Sequence, residues 1–267
     1  MRLHTTPVTT VELTAPPYSG SLEQRFALFG GMVLLFTLAL LLPGVAQPEH
    51  YHAFADQRGW MGLPHGADVL SNLGFVLMGL AGFVVLWRAD RQRLKGTARA
   101  LCALFLLGLL CSGAGSAFYH WAPHDERLVW DRLGMSVAFA GLLGLAVQTR
   151  IDDISARMTA ALVLLAAAAS LVVWVQTGNV LPWALLQAGG MLLVLWLAFV
   201  SPRRHVLPLE LGWVIGLYAL AKLLEMSDSD VFAVTEHCVS GHSLKHWVAA
   251  LAALPVLRAL HQLREKQ

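Results

Sequence analysis

Charged residues are scarce in this sequence, and their scarcity excludes an ordinary soluble domain. Asp, Glu, Lys and Arg make up 13% of the 267 residues, whereas hydrophobic residues make up 57%. Typical soluble domains carry about twice that share of charged residues. The composition instead predicts one polytopic membrane domain.

Cysteine motifs and glycosylation signals are also missing. The three cysteines form no C-x-x-C motif, which argues against a disulfide framework and a thiolate metal site. No N-x-S/T sequon occurs, so glycosylation has no support. The net charge is only +2, and the basic residues are divided among loops. Nucleic-acid binding needs a concentrated basic surface, and the sequence has none.

Long apolar runs are the dominant pattern. Each is long enough to cross a bilayer, and backbone in lipid must bond to itself, so all are predicted to be helices. The first run could be a signal peptide ending near Ala46, but the long polar segment before it favours an uncleaved anchor. The eight predicted spans are 26–46, 68–88, 98–120, 128–148, 157–177, 181–200, 208–226 and 242–262.

Basic residues predict how these spans are oriented. Fourteen of the nineteen lie before the first span, in or beside alternate connections, or near the end of the last span. By the positive-inside rule, both termini are cytoplasmic. Spans rich in Ala and Leu, together with the missing sequon, favour a bacterial inner membrane.

Histidines are concentrated on the opposite, extracytoplasmic side. Eight of the eleven lie in the predicted outer connections or at the helix ends beside them. His242 and His246, at the start of the last span, are four residues apart and therefore lie on one helix face. Two imidazoles at this spacing can coordinate one metal ion. A pair of polar residues at a membrane surface is the alternative interpretation.

Two other spans bring polar residues to the same depth. Ser116 and His120 share a face near the outer end of the third span, and Asp131 lies near the start of the fourth. An ionisable residue there suggests a function, although the helix dipole or a pair with Arg132 would also explain it. Three histidines and one open position is how catalytic zinc is held. Asp131 would then be available for proton transfer or for supporting a ligand.

These motifs resemble those of the alkaline ceramidases, which belong to a superfamily of seven-helix membrane hydrolases that includes the progestin and adiponectin receptors. The similarity covers roughly residues 56–262. It is carried by Ser116 with Tyr119-His120, by Trp130-Asp131, and by Gly241-His242-Ser243-x-Lys245-His246. The resemblance implies a zinc ion bound by three histidines and two catalytic partners. The implied ligands are His120, His242 and His246, and the implied catalytic residues are Ser116 and Asp131.

The resemblance also divides the chain. Residues 1–24 are predicted to be a flexible cytoplasmic tail, 25–47 an additional transmembrane helix, and 48–67 an extracytoplasmic loop. Residues 68–262 are predicted to form the ceramidase-like domain of seven helices, and 263–267 a second tail. The predicted fold class is an all-α polytopic membrane protein with a seven-helix core plus one N-terminal transmembrane helix.

A polar cluster near the site follows from the same similarity. Asp68, Ser71 and Asn72 match a D/N-x-x-S-N motif and share a helix face. They are predicted to form a buried hydrogen-bonded network beside the site, and a structural role between helices is favoured.

Two charged features lie outside these motifs. Eukaryotic members of the ceramidase family share an acidic, calcium-binding segment. Where that segment has a glutamate, this sequence has His65. Glu49 and Asp56 are nearby, so whether calcium binds here is left open. Lys222 and Glu225, one turn apart in the seventh span, are predicted to form an intramembrane ion pair with a structural role.

Together these features predict a zinc-dependent hydrolase that takes a lipid amide, ceramide or another N-acyl lipid, from the membrane. Asp131 would move the protons and Ser116 would hydrogen-bond the oxyanion. Two other classes stay open. The receptor relatives allow a ligand-sensing zinc protein with little or no hydrolase activity, and ionisable residues in spans allow a transporter of zinc or protons.

Overall fold

All the regular structure described here is helical. The computed structural model describes residues 20–265 apart from 91, 95 and 205, and these residues form eleven helices and no strand. Residues 1–19 of the predicted tail 1–24 lie outside the described residues, and so do residues 266 and 267 of the predicted tail 263–267. The helices are α1 (Leu22–Leu41), α2 (Gly66–Ser71), α3 (Leu73–Arg88), α4 (Gly96–Trp121), α5 (Asp125–Arg150), α6 (Asp153–Thr177), α7 (Leu181–Ala198), α8 (Leu211–Met226), α9 (Asp228–Val234), α10 (Gly241–Leu251) and α11 (Leu254–Glu265).

Six helical segments are long and apolar enough to cross a membrane, which confirms an all-α, multi-pass membrane protein. They are α1, the span Gly66–Arg88 that α2 and α3 form together, and α4 to α7. The predicted span 208–226 is helical over α8 alone, whose 16 residues cover only about 24 Å. The predicted span 242–262 is divided between α10 and α11. Length and composition therefore support six of the eight predicted spans.

Local sequence explains where α1 begins and ends. The helix runs over Leu22–Leu41, and not over the predicted 25–47, because the Ser21 side chain accepts a hydrogen bond from the backbone of Gln24 and caps the first turn. At the other end, Pro43 disfavours the helical conformation for the residue before it. Leu42 is accordingly extended, with φ −77° and ψ 149°.

A proline also divides the last predicted span. Pro255 has no backbone N–H, so it cannot donate to the carbonyl of Leu251 as an uninterrupted helix requires. α10 ends at Leu251, and α11 begins at Leu254 after two turn residues. The break keeps the two predicted metal ligands of this span together on the first piece.

Close packing of α4 against α5 positions the first part of the site. A Cβ added at Gly115 would lie 2.3 Å from the carbonyl oxygen of Trp130, an approach that only glycine permits. The end of α4 is thereby held against the start of α5. His120 and Asp131 lie in these two stretches.

The polar connections are segregated between the two ends of the helix bundle, as the sequence predicted. At the basic end, Arg25 pairs with Asp152 at 2.9 Å, and Arg203 pairs with Asp153 at 2.9 Å. At the other end lie His120, His242 and His246, together with the segment 42–65 that joins α1 to α2. Which end faces the cytoplasm stays a prediction.

Candidate metal centre

Three buried histidines converge at one end of the bundle. His120 lies in the last turn of α4, while His242 and His246 lie one turn apart on α10. Their ring centroids are 4.8 to 5.0 Å apart, and each residue is at most 6% exposed. Among the described residues, they are the one group of three or more His, Cys, Asp or Glu side chains that could hold a metal ion. The predicted ligand set is therefore brought together.

Two of the imidazole nitrogens have the separation that metal binding requires. Nε2 of His120 and Nε2 of His242 are 3.2 Å apart. Two nitrogens that each lie about 2.0–2.1 Å from a tetrahedral metal ion are about 3.3 Å apart. The Nδ1 atom of His246 is hydrogen-bonded to the Ser71 hydroxyl at 2.7 Å, which leaves its Nε2 for an ion. The three ligand nitrogens lie within 4.8 Å of one another, so the three side chains could hold a metal ion.

The first turn of α10 is fixed by capping groups. The Ser240 hydroxyl accepts a hydrogen bond from the backbone of Ser243 at 3.0 Å. One oxygen of Asp228 accepts from the backbone N–H of His242 at 2.8 Å, and its other oxygen accepts from the backbone N–H of Ala55 at 2.9 Å. Carboxylates are favoured at helix N-termini because of the exposed N–H groups there. Asp228 therefore fixes the turn that carries His242 and ties it to the segment 42–65.

The predicted polar cluster of α2 lies beside the histidines. Asp68 accepts a hydrogen bond from the Ser243 hydroxyl at 2.6 Å, and the Asn72 side chain donates to the backbone carbonyl of Asp68 at 2.8 Å. Ser71, the third member, bonds to His246. The cluster joins α2 to α10, which is the structural role that the sequence analysis favoured. It also orients one of the three imidazoles. That second role comes from the position of α10 against α2, which the sequence motif did not contain.

Ser116 and Asp131, the predicted catalytic pair, lie next to each other. Ser116 is 3% exposed and lies one turn before His120 on α4. Its hydroxyl lies close to the carboxylate of Asp131, which is partly buried near the start of α5. The two residues are therefore within reach of the histidines, while their catalytic roles stay predictions.

A cavity of about 290 Å³ adjoins the histidines. His120, His242 and Asp131 line it from one side, so a molecule inside it can touch both the imidazoles and the carboxylate. Residues of the segment 42–65 and of α4, α8, α9 and α10 complete the wall. They are Tyr51, Ala53, Phe54, Tyr119, Glu225, Met226, Asp228, Ser229, Asp230 and Lys245.

The ion pair predicted between Lys222 and Glu225 is present, and it has a third member. Lys245, on α10, lies 2.5 Å from the other oxygen of Glu225. Glu225 therefore joins α8 to the helix that carries two of the histidines. The sequence contained Lys245 in the G-H-S-x-K-H motif, but nothing in that motif indicated its partner.

Phe54 is a site residue that the sequence did not reveal. Its ring centroid lies 4.3 Å from that of His242 and 4.8 Å from that of His120, and the residue is 8% exposed. Contacts at this distance bury the imidazoles and exclude water from one side. A single aromatic residue in a polar connection carries no periodic signal, so only the structure identifies it.

No protein-family model matches this chain, and no curated protein matches it. Family membership therefore remains a hypothesis based on the motifs described above. The geometry of the histidines does not depend on that hypothesis, because it follows from the positions of α4 and α10.

Proposed function

We propose that this protein is an intramembrane, zinc-dependent hydrolase of lipid amides. One observation carries the proposal: three buried histidines converge beside Ser116 and Asp131, and two of them line a cavity together with Asp131. Nitrogen ligands, a potential proton acceptor and a hydroxyl donor are the parts that metal-assisted hydrolysis needs.

Zinc is the metal that this ligand set favours. Imidazole nitrogens suit zinc, and three of them leave one position open for chemistry, as in catalytic zinc sites. When bound, zinc supplies a Lewis acid for the amide carbonyl and makes water nucleophilic near neutral pH. The residues that would hold it are His120, His242 and His246.

The side chains beside the histidines have separate proposed roles. Asp131 accepts a proton from the attacking water and returns it to the leaving amine, as a general base and then a general acid. Ser116 orients the Asp131 carboxylate in the free protein. With substrate bound, its hydroxyl donates to the developing oxyanion. The hydroxyl of Ser116 can rotate between these two partners.

A lipid substrate is supported by the position of the site. The histidines and the cavity belong to a bundle with six helices that can cross a membrane, so a substrate that already lies in the bilayer has the shortest path to them. The similar motifs of the ceramidases favour an N-acyl lipid such as ceramide. We further propose that α8, and α10 with α11, complete a core of seven spans around the site, with α1 as an additional helix.

The proposed orientation has both termini in the cytoplasm and the histidines toward the outer leaflet of a bacterial inner membrane. Reporter fusions after residue 95 and after His124 test it. We expect cytoplasmic and external signals respectively, and the opposite pattern would overturn the orientation while leaving the metal site unaffected.

The decisive experiment combines metal analysis with a substrate panel. Protein purified in detergent is analysed for bound metals and is then incubated with ceramide, other N-acyl lipids and matched ester lipids. We expect about one zinc per chain and hydrolysis of at least one amide. Zinc without hydrolysis of any lipid would favour the sensing alternative, and protein without metal after zinc reconstitution would overturn both.

A further inference from the structure

Residues 54–58 form a short segment, here called the clasp, that lies between the histidines and α9. At one end Phe54 packs against the rings of His120 and His242. In the middle, the backbone N–H of Ala55 donates to Asp228, which also caps α10. Whatever fixes the clasp therefore fixes one wall of the metal centre.

An ion pair between a buried carboxylate and an exposed arginine closes the clasp on itself. Asp56 is 2% exposed, and its two oxygens accept bonds of 2.8 Å from Nε and Nη2 of the Arg58 guanidinium. The backbone N–H of Arg58 donates to Asp56 as well, at 3.0 Å. These bonds lower the pKa of Asp56 below its usual value, although burial acts in the opposite direction. A buried carboxylate without such a partner would be costly.

Arg58 also joins the clasp to three other parts of the outer end. Its backbone carbonyl accepts from the N–H of Gly66, at the start of α2. Its guanidinium lies 5.0 Å from the ring centroid of Phe232 on α9, and Nη2 approaches the carbonyl oxygen of Cys238 at 3.4 Å. A single residue therefore joins the clasp to α2 through its backbone, and to α9 and the connection to α10 through its cationic side chain.

Calcium, which the resemblance left open at this segment, does not fit the described residues. Calcium takes six to eight oxygen ligands. Here both oxygens of Asp56 already bind Arg58, and the position expected to hold a glutamate is His65. Glu49 is exposed. The described residues contain no group of three or more carboxylates that could hold a metal ion.

We propose that Arg58 is an internal cation that replaces a divalent ion in this segment, so that the metal centre assembles without calcium. Its planar guanidinium binds both oxygens of a carboxylate at once, which a lysine cannot do. Arg58 is a positioning residue: it acts on the histidines only through Phe54 and Asp228. The proposal concerns assembly of the site and does not depend on the reaction that the site catalyses.

Hydrogen exchange of the full-length protein in detergent tests the proposal. The readout is the exchange of amides in residues 54–58, measured with calcium and with a calcium chelator. For the natural protein we expect slow exchange and no effect of calcium. In Arg58→Ala the clasp should open more often, and its exchange should rise about tenfold or more, as expected when charge-assisted hydrogen bonds are lost. Arg58→Lys should fall between the two, because charge is kept and the planar geometry is lost.

A matched control comes from the opposite end of the bundle. Arg25→Ala removes another arginine–carboxylate pair, and it should leave the exchange of the clasp unchanged. Two results would overturn the proposal. One is a clasp that gains protection from calcium in the natural protein. The other is an Arg58→Ala variant that exchanges like the natural protein.

Discussion

The two ends of the helix bundle are both polar, but they are built differently. At the basic end, opposite charges are paired: Asp152 accepts hydrogen bonds from Ser155 and Arg25, and Arg203 binds Asp153. At the histidine end, three like side chains meet within the bundle, and Nδ1 of His120 has no hydrogen-bond partner among the described residues.

This difference separates polar residues that stabilise the fold from polar residues that are available to bind a ligand. Paired charges satisfy each other, so they need nothing further from the surroundings. Each neutral imidazole has one N–H donor and one nitrogen lone pair, and lone pairs that face one another in a buried place repel each other unless a proton or a cation lies between them. A metal ion resolves that conflict. We therefore expect variants of the three histidines and of the residues that contact them to change metal binding or activity, and variants at the basic end to change stability alone.

The largest expected effect is loss of metal from a histidine variant. His246→Ala should lose most of its zinc, because two remaining imidazoles hold an ion far more weakly than three. Elemental analysis of the purified protein measures this. His52→Ala is the control, since His52 lies at the same end but bonds to Tyr119 and Asp125. Full zinc occupancy in His246→Ala would rule out this ligand set.

The next effect separates chemistry from metal binding. Asp131→Asn keeps the shape of the side chain but removes its basicity, so lipid-amide hydrolysis should fall by about 100-fold while zinc stays bound. Ser116→Ala should also keep the metal, and should cost about 100- to 1,000-fold if its hydroxyl binds the oxyanion. Turnover and zinc content are measured on the same preparations. If Asp131→Asn loses zinc, then Asp131 supports the metal and another base is needed.

A smaller effect is expected for the residue that orients His246. Ser71→Ala removes the hydrogen bond to Nδ1 and should weaken zinc binding by about 10- to 100-fold, as is usual for such supporting groups. Competition with a zinc chelator gives the affinity. Ser170→Ala is a matched control, because Ser170 is equally buried but bonds only to a carbonyl of its own helix. Equal affinities of the two variants would contradict this role for Ser71.

The smallest effect lies at the basic end. Asp152→Ala removes the N-cap of α6 and should destabilise the protein by about 1 kcal/mol, with no change in zinc content. Burial raises the pKa of Asp152, but its bonds to Ser155 and Arg25 outweigh this and the pKa lies below its usual value. The contribution of Asp152 is therefore present above about pH 4 and is lost as the pH falls further. Thermal unfolding of both proteins at neutral and acidic pH measures it, and a loss of zinc would show that the two ends are coupled.

The predictions that the structure confirms depended on local patterns. Apolar runs predicted the membrane helices, and the four-residue spacing predicted that His242 and His246 share a face. The Lys222–Glu225 pair followed from the same one-turn rule. The predicted bounds of the first span were wrong, because Ser21 caps α1 and Pro43 ends it. The predicted continuity of the last span was also wrong, because Pro255 interrupts the helix within an apolar run.

The contacts that were missed all join residues distant in the chain. Phe54 touches His120 and His242, Ser71 reaches His246, and Glu225 binds Lys245 as well as Lys222. No spacing within a helix encodes such pairs. They exist because small residues such as Gly115 and Gly241 let helices approach until side chains from different segments meet.

The sequence by itself determined that this chain is a multi-pass helical membrane protein with histidines at one end, because hydropathy and helical periodicity are local properties. Only the tertiary structure decided which side chains meet there. Packing of α10 against α2 and α8, and of α4 against α5, selected three of the histidines as one buried group. The same packing buried the carboxylate of Asp56, which binds Arg58. How deeply a side chain is buried depends on the segments that cover it and not on its neighbours in the chain.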